Sequence, residues 1–418
     1  MRFRPPSTRP ARFLPLLAVL AVLLLAGCGK GGETTAHGGG GSGGPVPSLA
    51  PVAEEGAVTV TTRNTTRVGG ADPVVDAAAV ARVVYPGLTG TSRPQAVVVV
   101  DRHDWPAALA ASPLAGAPLN APILYAEGGS LPQISREALE AMHPTGAAAL
   151  GGAQVIRVGT QAAIPTGYVA RTLAHSDAAG IAGEVEKVLS TVAGAPPKQA
   201  IVVGLGGARS LQMPAPGLAA MSAVPLLGVG GGELPAATEG LLRSMHRPAI
   251  YVVNAAKLSP AALGALARLG RVTRIPEKEG TVATTPSGSS IAAARFTDGT
   301  FGWGIKEPGH GLVFARSSRP FDAPAAALLS ATGDYGPLLL LETATTIPQP
   351  LVTYLSDIQP AYTSAPEFSP VRGVYNHGWL IGDEAAIALS TQAQLDSLLE
   401  ISPRKQGAAE EAAVLQSE

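Results

Sequence analysis

Val97-Val98-Val99-Val100, Ala200-Ile201-Val202-Val203 and Leu312-Val313-Phe314-Ala315 are three short apolar runs, each leading into a polar or glycine-rich loop. Behind each loop lies an alanine-rich stretch, then a second apolar run opened by proline. Those runs read Ala121-Pro122-Ile123-Leu124, Val224-Pro225-Leu226-Leu227 and Gly336-Pro337-Leu338-Leu339. Nine or ten residues past each proline stands a further pair, Leu131-Pro132, Leu234-Pro235 or Ile347-Pro348. Proline suits a first helical turn, where its missing N–H has no partner to lose, so these pairs mark helix starts. Third runs follow at Ala147 to Leu150, Ile250 to Val253 and Trp379 to Ile381. The first two copies keep an offset of 103 residues throughout. The third stands 215 to 216 residues on, until extra residues around Ala361 to Tyr375 stretch it.

Continuous apolar runs, unlike alternating ones, indicate strands buried on both faces, and helical connections make such strands parallel. Each copy therefore reads β-α-β-α-β. Helices over Ser135 to His143 and Ser259 to Leu269 carry apolar residues on one side. Ser259 is a suitable N-cap with Pro260 at the first helical position, and the pattern recurs at Leu389-Ser390-Thr391 ahead of Gln392 to Leu399. The expected fold class is α/β: three similar small modules over 57–165, 166–278 and 279–404. Each is a short, mostly parallel sheet flanked by helices, and the three form a pseudo-threefold unit.

Composition narrows the function. The 418 residues include 50 glycines and 37 prolines, with 15% charged, 46% hydrophobic and 4% aromatic residues. That much aliphatic surface can form cores, which excludes global disorder, and neither heptads nor a Gly-X-Y period is present. A net charge of −1 with no dense basic run speaks against nucleic acid as a partner. The single cysteine, Cys28, rules out an intrachain disulfide and a cysteine-based zinc site. Arg2, Arg4, Arg9 and Arg12 precede the apolar run Phe13 to Leu25, which has signal-peptide proportions and is too short to span a bilayer.

The run ends in Leu25-Ala26-Gly27-Cys28, which resembles the bacterial lipobox. The resemblance implies cleavage of residues 1–27 and acylation of Cys28, anchoring the chain to the extracytoplasmic face of the cell membrane; stable anchoring requires two or more acyl chains. The mature chain would carry a charge of about −5. Residues 28–56, with Gly38 to Gly41 and Gly43-Gly44, have a tether's composition, and 405–418 reads as a disordered tail.

The modules resemble the cell wall-binding repeat 2 family, extracellular modules of Gram-positive bacteria that usually occur three in a row. Arg67-Val68-Gly69-Gly70-Ala71-Asp72 is similar to the family's opening phrase. Trp105 to Ala115, Asn120 to Leu124 and Leu150-Gly151-Gly152 are similar to the phrases that follow. The likeness is good over 63–156 and visible, but eroded, to about 402. Pro73 stands where the family has a second Arg, and Asp76 where it has Thr. The family's central Asp is replaced by Ala107 and Ser210 and kept as Asp322, while Gly382-Asp383 replaces a Gly-Gly pair. The resemblance implies non-enzymatic, non-covalent contact with anionic cell-wall polymer, without a cofactor.

Ligands of open α/β sheets gather at the carboxyl ends of strands. The matched loops there are Asp101-Arg102-His103-Asp104, Gly204 to Arg209, and Arg316-Ser317-Ser318-Arg319-Pro320. Each holds an Arg near a helix N-terminus, where free N–H groups and the helix dipole favour an anion. Arg67, Arg102, His103, Asp104, Arg209, Arg316, Arg319 and Asp322 are thus candidate anion- or polymer-binding residues; solvated or locally paired arginines are the alternative. Asp101, His103 and Asp104 are also metal-ligating types, but copies two and three lack the set, so no metal is expected. Gly204-x-Gly206-Gly207 has Arg209 where a dinucleotide loop has its third glycine. Trp105, Trp303 and Trp379 suit either sugar stacking or core packing. The seven histidines form no His-Glu-x-x-His pattern, no Gly-x-Ser-x-Gly elbow occurs, and tether and tail leave no room for a catalytic domain. The expected function is a membrane-anchored wall-contacting lipoprotein. The alternative is a lipid-anchored small-ligand receptor or a scaffold for extracytoplasmic protein assembly.

Overall fold

Runs rich in β-branched residues and leucine form most of the inner strands of three sheets, where both faces are covered. The structure, a computed structural model, describes residues 58–276, 284–331, 336–362 and 375–403, all within one unit over Glu54–Glu418. Cys28, the tether over 28–56 and the tail over 405–418 lie outside the described residues.

The described chain opens with β1 (Val58–Thr61), β2 (Thr65–Gly69) and α1 (Pro73–Val84). Next come β3 (Val97–Asp101), α2 (Trp105–Ala111), β4 (Ile123–Ala126), α3 (Gln133–Met142), β5 (Val155–Val158), β6 (Ala170–Leu173) and α4 (Ala178–Ala193). The second copy supplies β7 (Gln199–Gly204), α5 (Pro214–Ser222), β8 (Leu226–Val229), α6 (Ala236–Ser244), β9 (Ala249–Val253), α7 (Pro260–Leu269), β10 (Arg271–Ile275) and α8 (Pro286–Arg295). The third supplies β11 (Gly311–Arg316), α9 (Asp322–Ala331), β12 (Leu338–Leu341), α10 (Gln349–Asp357), β13 (Ala361–Tyr362), β14 (His377–Ile381), α11 (Leu389–Leu399) and β15 (Ser402–Pro403).

Two sheets repeat one topology, β4-β3-β5-β6 and β8-β7-β9-β10, with every pairing parallel. The third is β1-β2-β14-β11-β12, parallel except for the β1–β2 hairpin, and β13 pairs with β15 apart from it. The α/β class and the mostly parallel sheets are those expected. Each sheet gains a fourth parallel strand that the β-α-β-α-β reading lacked: β6, β10 and β2.

Sheet membership does not follow the expected module boundaries. β2, from the segment assigned to the first module, pairs with β14 of the third, with Arg67 opposite Leu380. β6, assigned to the second, pairs with β5 of the first. The helices after these fourth strands do the joining. α4 packs on β8 and α2, α8 on β12 and α5, and α1 on β4 and α9. The N-terminal strand and helix therefore join the third sheet to the first, completing a cycle that chain order leaves open. Where the middles of the copies meet, Ala115, Ala220, Ala327 and Leu328 form a small shared core. Alanine there lets α5 and α9 and the 3₁₀ turn Ser112–Ala115 approach one another closely, which accounts for the alanine-rich stretches.

Three local expectations are corrected. Ala147 to Leu150 is not a strand: Ala148–Leu150 is a 3₁₀ turn closed by Gly151 at φ 68°, and the strand lies at β5. Alanine is a weak strand former, whereas Val155-Ile156-Arg157-Val158 is β-branched. Ser390 does not cap a helix at Gln392; α11 already begins at Leu389, after Ala388. Pro132, Pro235 and Pro348 are themselves the N-cap residues, one position before the first turn. Ser259 does cap α7, accepting from the Ala262 N–H at 3.0 Å, with Pro260 first in the helix.

Candidate functional site

The three loops that follow β3, β7 and β11 sit at equivalent carboxyl ends and differ in how their charges are used. In the first, Asp101 accepts from the His103 N–H at 2.8 Å, and Asp104 caps α2 by accepting from the Ala107 N–H at 3.0 Å. Arg102 Nη1 lies 3.2 Å from Glu127 Oε2, and the exposed His103 ring is 3.8 Å from the other oxygen. Among the described residues no group of three His, Cys, Asp or Glu side chains could hold a metal ion.

The third loop is turned inward. Arg316 donates to Ala386 O at 3.3 Å. Arg319, 16% exposed, pairs with the fully buried carboxylate of Asp76 and lies 3.0 Å from Asp322, also fully buried. Its other contacts are Gly70 O at 3.3 and 3.4 Å and, at 4.0 Å, Asp383. Asp76 also accepts from the Gly70 N–H at 2.7 Å. Gly69 precedes this turn at φ 132°, and a Cβ there would lie 2.1 Å from Asp76 Oδ1, so the phrase Val68-Gly69-Gly70 needs glycine. Burial raises the Asp76 carboxyl to about 6, against the opposing pull of Arg319. Burial, and then the neighbouring Asp76, push Asp322 well above the usual carboxylate range. Two buried carboxylates facing one guanidinium retain a proton between them.

Arg67 is not a surface ligand group. It is 1% exposed, and its guanidinium donates to Gln392 Oε1 at 3.1 and 2.9 Å, Gly382 O at 3.0 Å, and Asp383 O and Ile387 O at 2.6 Å each. A fork with five donors can tie the end of β2 to the loop after β14 and to α11, which a lysine could not do.

The second loop stays open. Arg209 is exposed, its guanidinium 5.8 Å from the ring centre of Phe321 in the third copy. Phe321 meets the edges of Trp105 and Tyr125 at 5.5 and 5.7 Å, and Tyr125 donates to Phe321 O at 2.6 Å. Trp105 Nε1 donates to Gln212 Oε1 at 2.6 Å. The loops of all three copies therefore converge on this aromatic contact, and Trp105 belongs to the core. Arg209, Arg319 and Asp322 are brought to that junction; Arg67 and Arg316 serve packing around β14. Gln212, Glu127 and Gln392 escaped the sequence reading, because a lone amide or acid carries no local pattern. Lys257 escaped too, although the carboxyl-end rule applied to β9 would have reached it.

Elsewhere a groove of about 610 Å³ lies beside α3, lined by Gln133, Arg136, Glu137 and Glu140 and by 163–166. No helix of the described residues is long and apolar enough to cross a membrane.

The family model for cell wall binding domain 2 (CWB2) matches residues 67–168. This segment belongs to that family. Among solved structures, the chain is similar to Cwp8 from Clostridium difficile, at 18% identity and a TM-score of 0.59, over 81% of this chain and 53% of that one. It is likewise similar to Cwp6 from Clostridium difficile, at 16% and 0.58, over 82% and 51%. The chain spans about half the length of either, and at these identities the likeness is one of fold. No curated protein matches. The matched segment runs from Arg67 in β2 to Tyr168 just before β6, so one family unit straddles two sheets.

Proposed function

We propose that the chain is a lipid-anchored, extracytoplasmic and non-enzymatic protein that holds anionic cell-wall polymer through three degenerate CWB2-like modules. The observation that carries this reading is the CWB2 segment, set in a fold whose loop topology repeats in the rest of the described chain. The cyclic packing of α1, α4 and α8 supports a pseudo-threefold arrangement of modules over 57–165, 166–278 and 279–404, with strands exchanged at their borders. In the same reading residues 1–27 are removed, Cys28 is acylated, 28–56 is the tether and 405–418 the tail. Of the candidate contacts, Arg102, His103, Asp104 and Arg209 remain near the surface, while Arg316, Arg319 and Asp322 shape the loops. Full-length protein mixed with isolated bacterial wall at low salt should pellet with it; recovery in the supernatant overturns polymer contact. Acyl labelling should vanish in Cys28→Ser, and labelling that persists overturns the anchor.

The inward turning of the third cationic loop, and the pairing of Arg102 with Glu127 in the first, favour a second reading, a lipid-anchored scaffold or small-ligand receptor. Thermal stabilisation by a sugar, peptide or metal, with no wall binding, would support it.

A further inference from the structure

Gly206, Gly207 and Ala208 follow β7, and their three successive backbone N–H groups make no hydrogen bond among the described residues. In each matched loop at least one of the corresponding groups is engaged. His103 N–H and Asp104 N–H bond to Asp101, and Arg319 N–H bonds to Arg316 O at 3.0 Å. Gly207 has φ 79°, the left-handed conformation that turns consecutive N–H groups toward one side. The loop is held in this state by Asn254, whose Nδ2 donates to Gly204 O at 2.8 Å and Gly206 O at 3.2 Å.

Lys257 lies along the same loop. A Cβ on Gly206 would stand 3.2 Å from Lys257 Cβ, and one on Gly207 2.9 Å from Lys257 Cε. Lys257 and Arg209 are both exposed, and neither forms an ion pair among the described residues. Arg102, by contrast, has Glu127, and Arg319 has Asp76 and Asp322. Free N–H groups, a lysine across them and an arginine two residues on sit at the carboxyl ends of the adjacent strands β7 and β9, where a doubly wound sheet takes its ligand.

We infer that the anion site of this protein is concentrated in the second module, where Gly206 to Ala208 cradle a phosphate or carboxylate of a polyanionic chain and Lys257 and Arg209 neutralise it. The inference rests on the proposed polymer contact and narrows it to one loop. The first loop's arginine is already neutralised and the third loop holds its own carboxylates, so neither contributes substantially.

The test uses the full chain, the double variant Lys257→Gln/Arg209→Gln, and Arg102→Gln. Each is measured for retention on isolated wall and for binding to two soluble probes, inorganic polyphosphate and polygalacturonate. Loss of two charge-assisted contacts should weaken retention and probe binding roughly tenfold or more in the double variant. Arg102→Gln should stay within about twofold, and Lys257→Arg, which keeps the charge, should retain most of the binding. The probe that loses more binding identifies phosphate or carboxylate as the preferred group. Unchanged melting temperature in the double variant, expected for exposed side chains, separates site loss from misfolding. A double variant that binds wall and probes as well as the wild type overturns the inference and leaves the proposed function standing. Probe binding that the double variant loses, with no wall retention in any form, supports the site and overturns the function. A wild-type chain that binds neither probe overturns the site.

Discussion

Asp322 has a fully buried carboxyl 3.0 Å from the Arg319 guanidinium, beside a second buried carboxyl, Asp76, that pairs with the same arginine. A carboxyl whose folded pKa is raised contributes stability below its ordinary pKa and loses that contribution as pH rises through the folded value. For Asp76 this window runs from 3.8 to about 6, so stability from the pair should fall as pH climbs through it. Asp322→Asn replaces the protonated partner by a neutral isostere and leaves Arg319 to Asp76 alone. Its melting temperature at pH 7 should equal or exceed that of the wild type, and the decline between pH 4 and 6 should flatten. A marked drop at pH 7 with the decline intact would contradict the shared proton. At Arg67 the expectation is opposite in sign. Arg67→Ala strands Gln392 and three carbonyls without donors, and denaturant unfolding should show a loss of about 3 kcal/mol or more, with Arg67→Lys recovering little. The opening phrase Arg67 to Asp72 was thus legible as a motif, but its arginine could not be read as structural. Its acceptors lie more than 300 residues away in sequence.

Among the elements, those with a local signature were legible and those defined by distant partners were not. β3, β7 and β11 stand where their apolar runs stand, since burial on both faces requires uninterrupted apolar residues. β5 was misplaced because a constant repeat offset pointed to Ala147, while the first copy joins β5 to β6 by a loop where the second has α7 between β9 and β10. β2 shows nothing in Thr65-Thr66-Arg67-Val68-Gly69 that names β14 as its neighbour. Thr66→Pro tests that neighbour, because proline removes a ladder donor from a strand paired on both sides. Hydrogen exchange should then speed up across β14 and β11 as well as β2, with β7 and β9 least affected. Exchange that speeds up in β3 and β5 while β14 stays protected would place β2 with the first sheet. The junction between copies offers a smaller probe. Gln212→Leu leaves the buried Trp105 N–H without its acceptor and should cost about 1–3 kcal/mol by thermal unfolding.

For the whole molecule, composition and repeat together gave the class of fold, and glycine- and alanine-rich stretches found their place in turns and in the shared core. The candidate site was legible as a set of loops, but not which loop stays open. That depends on where the neutralising groups fall, Glu127 in one case and Asp76 in another, and neither adjoins its arginine in sequence. A chain of net charge −1 cannot gather a polyanion by its overall field, so capture must be local and therefore sensitive to added salt at exposed cations. The most direct measurement compares retention of the full chain on intact bacterial wall with retention on wall chemically stripped of its anionic polymer. Binding to intact wall that falls with salt and disappears on stripping is the predicted result; undiminished binding to the stripped wall would contradict it.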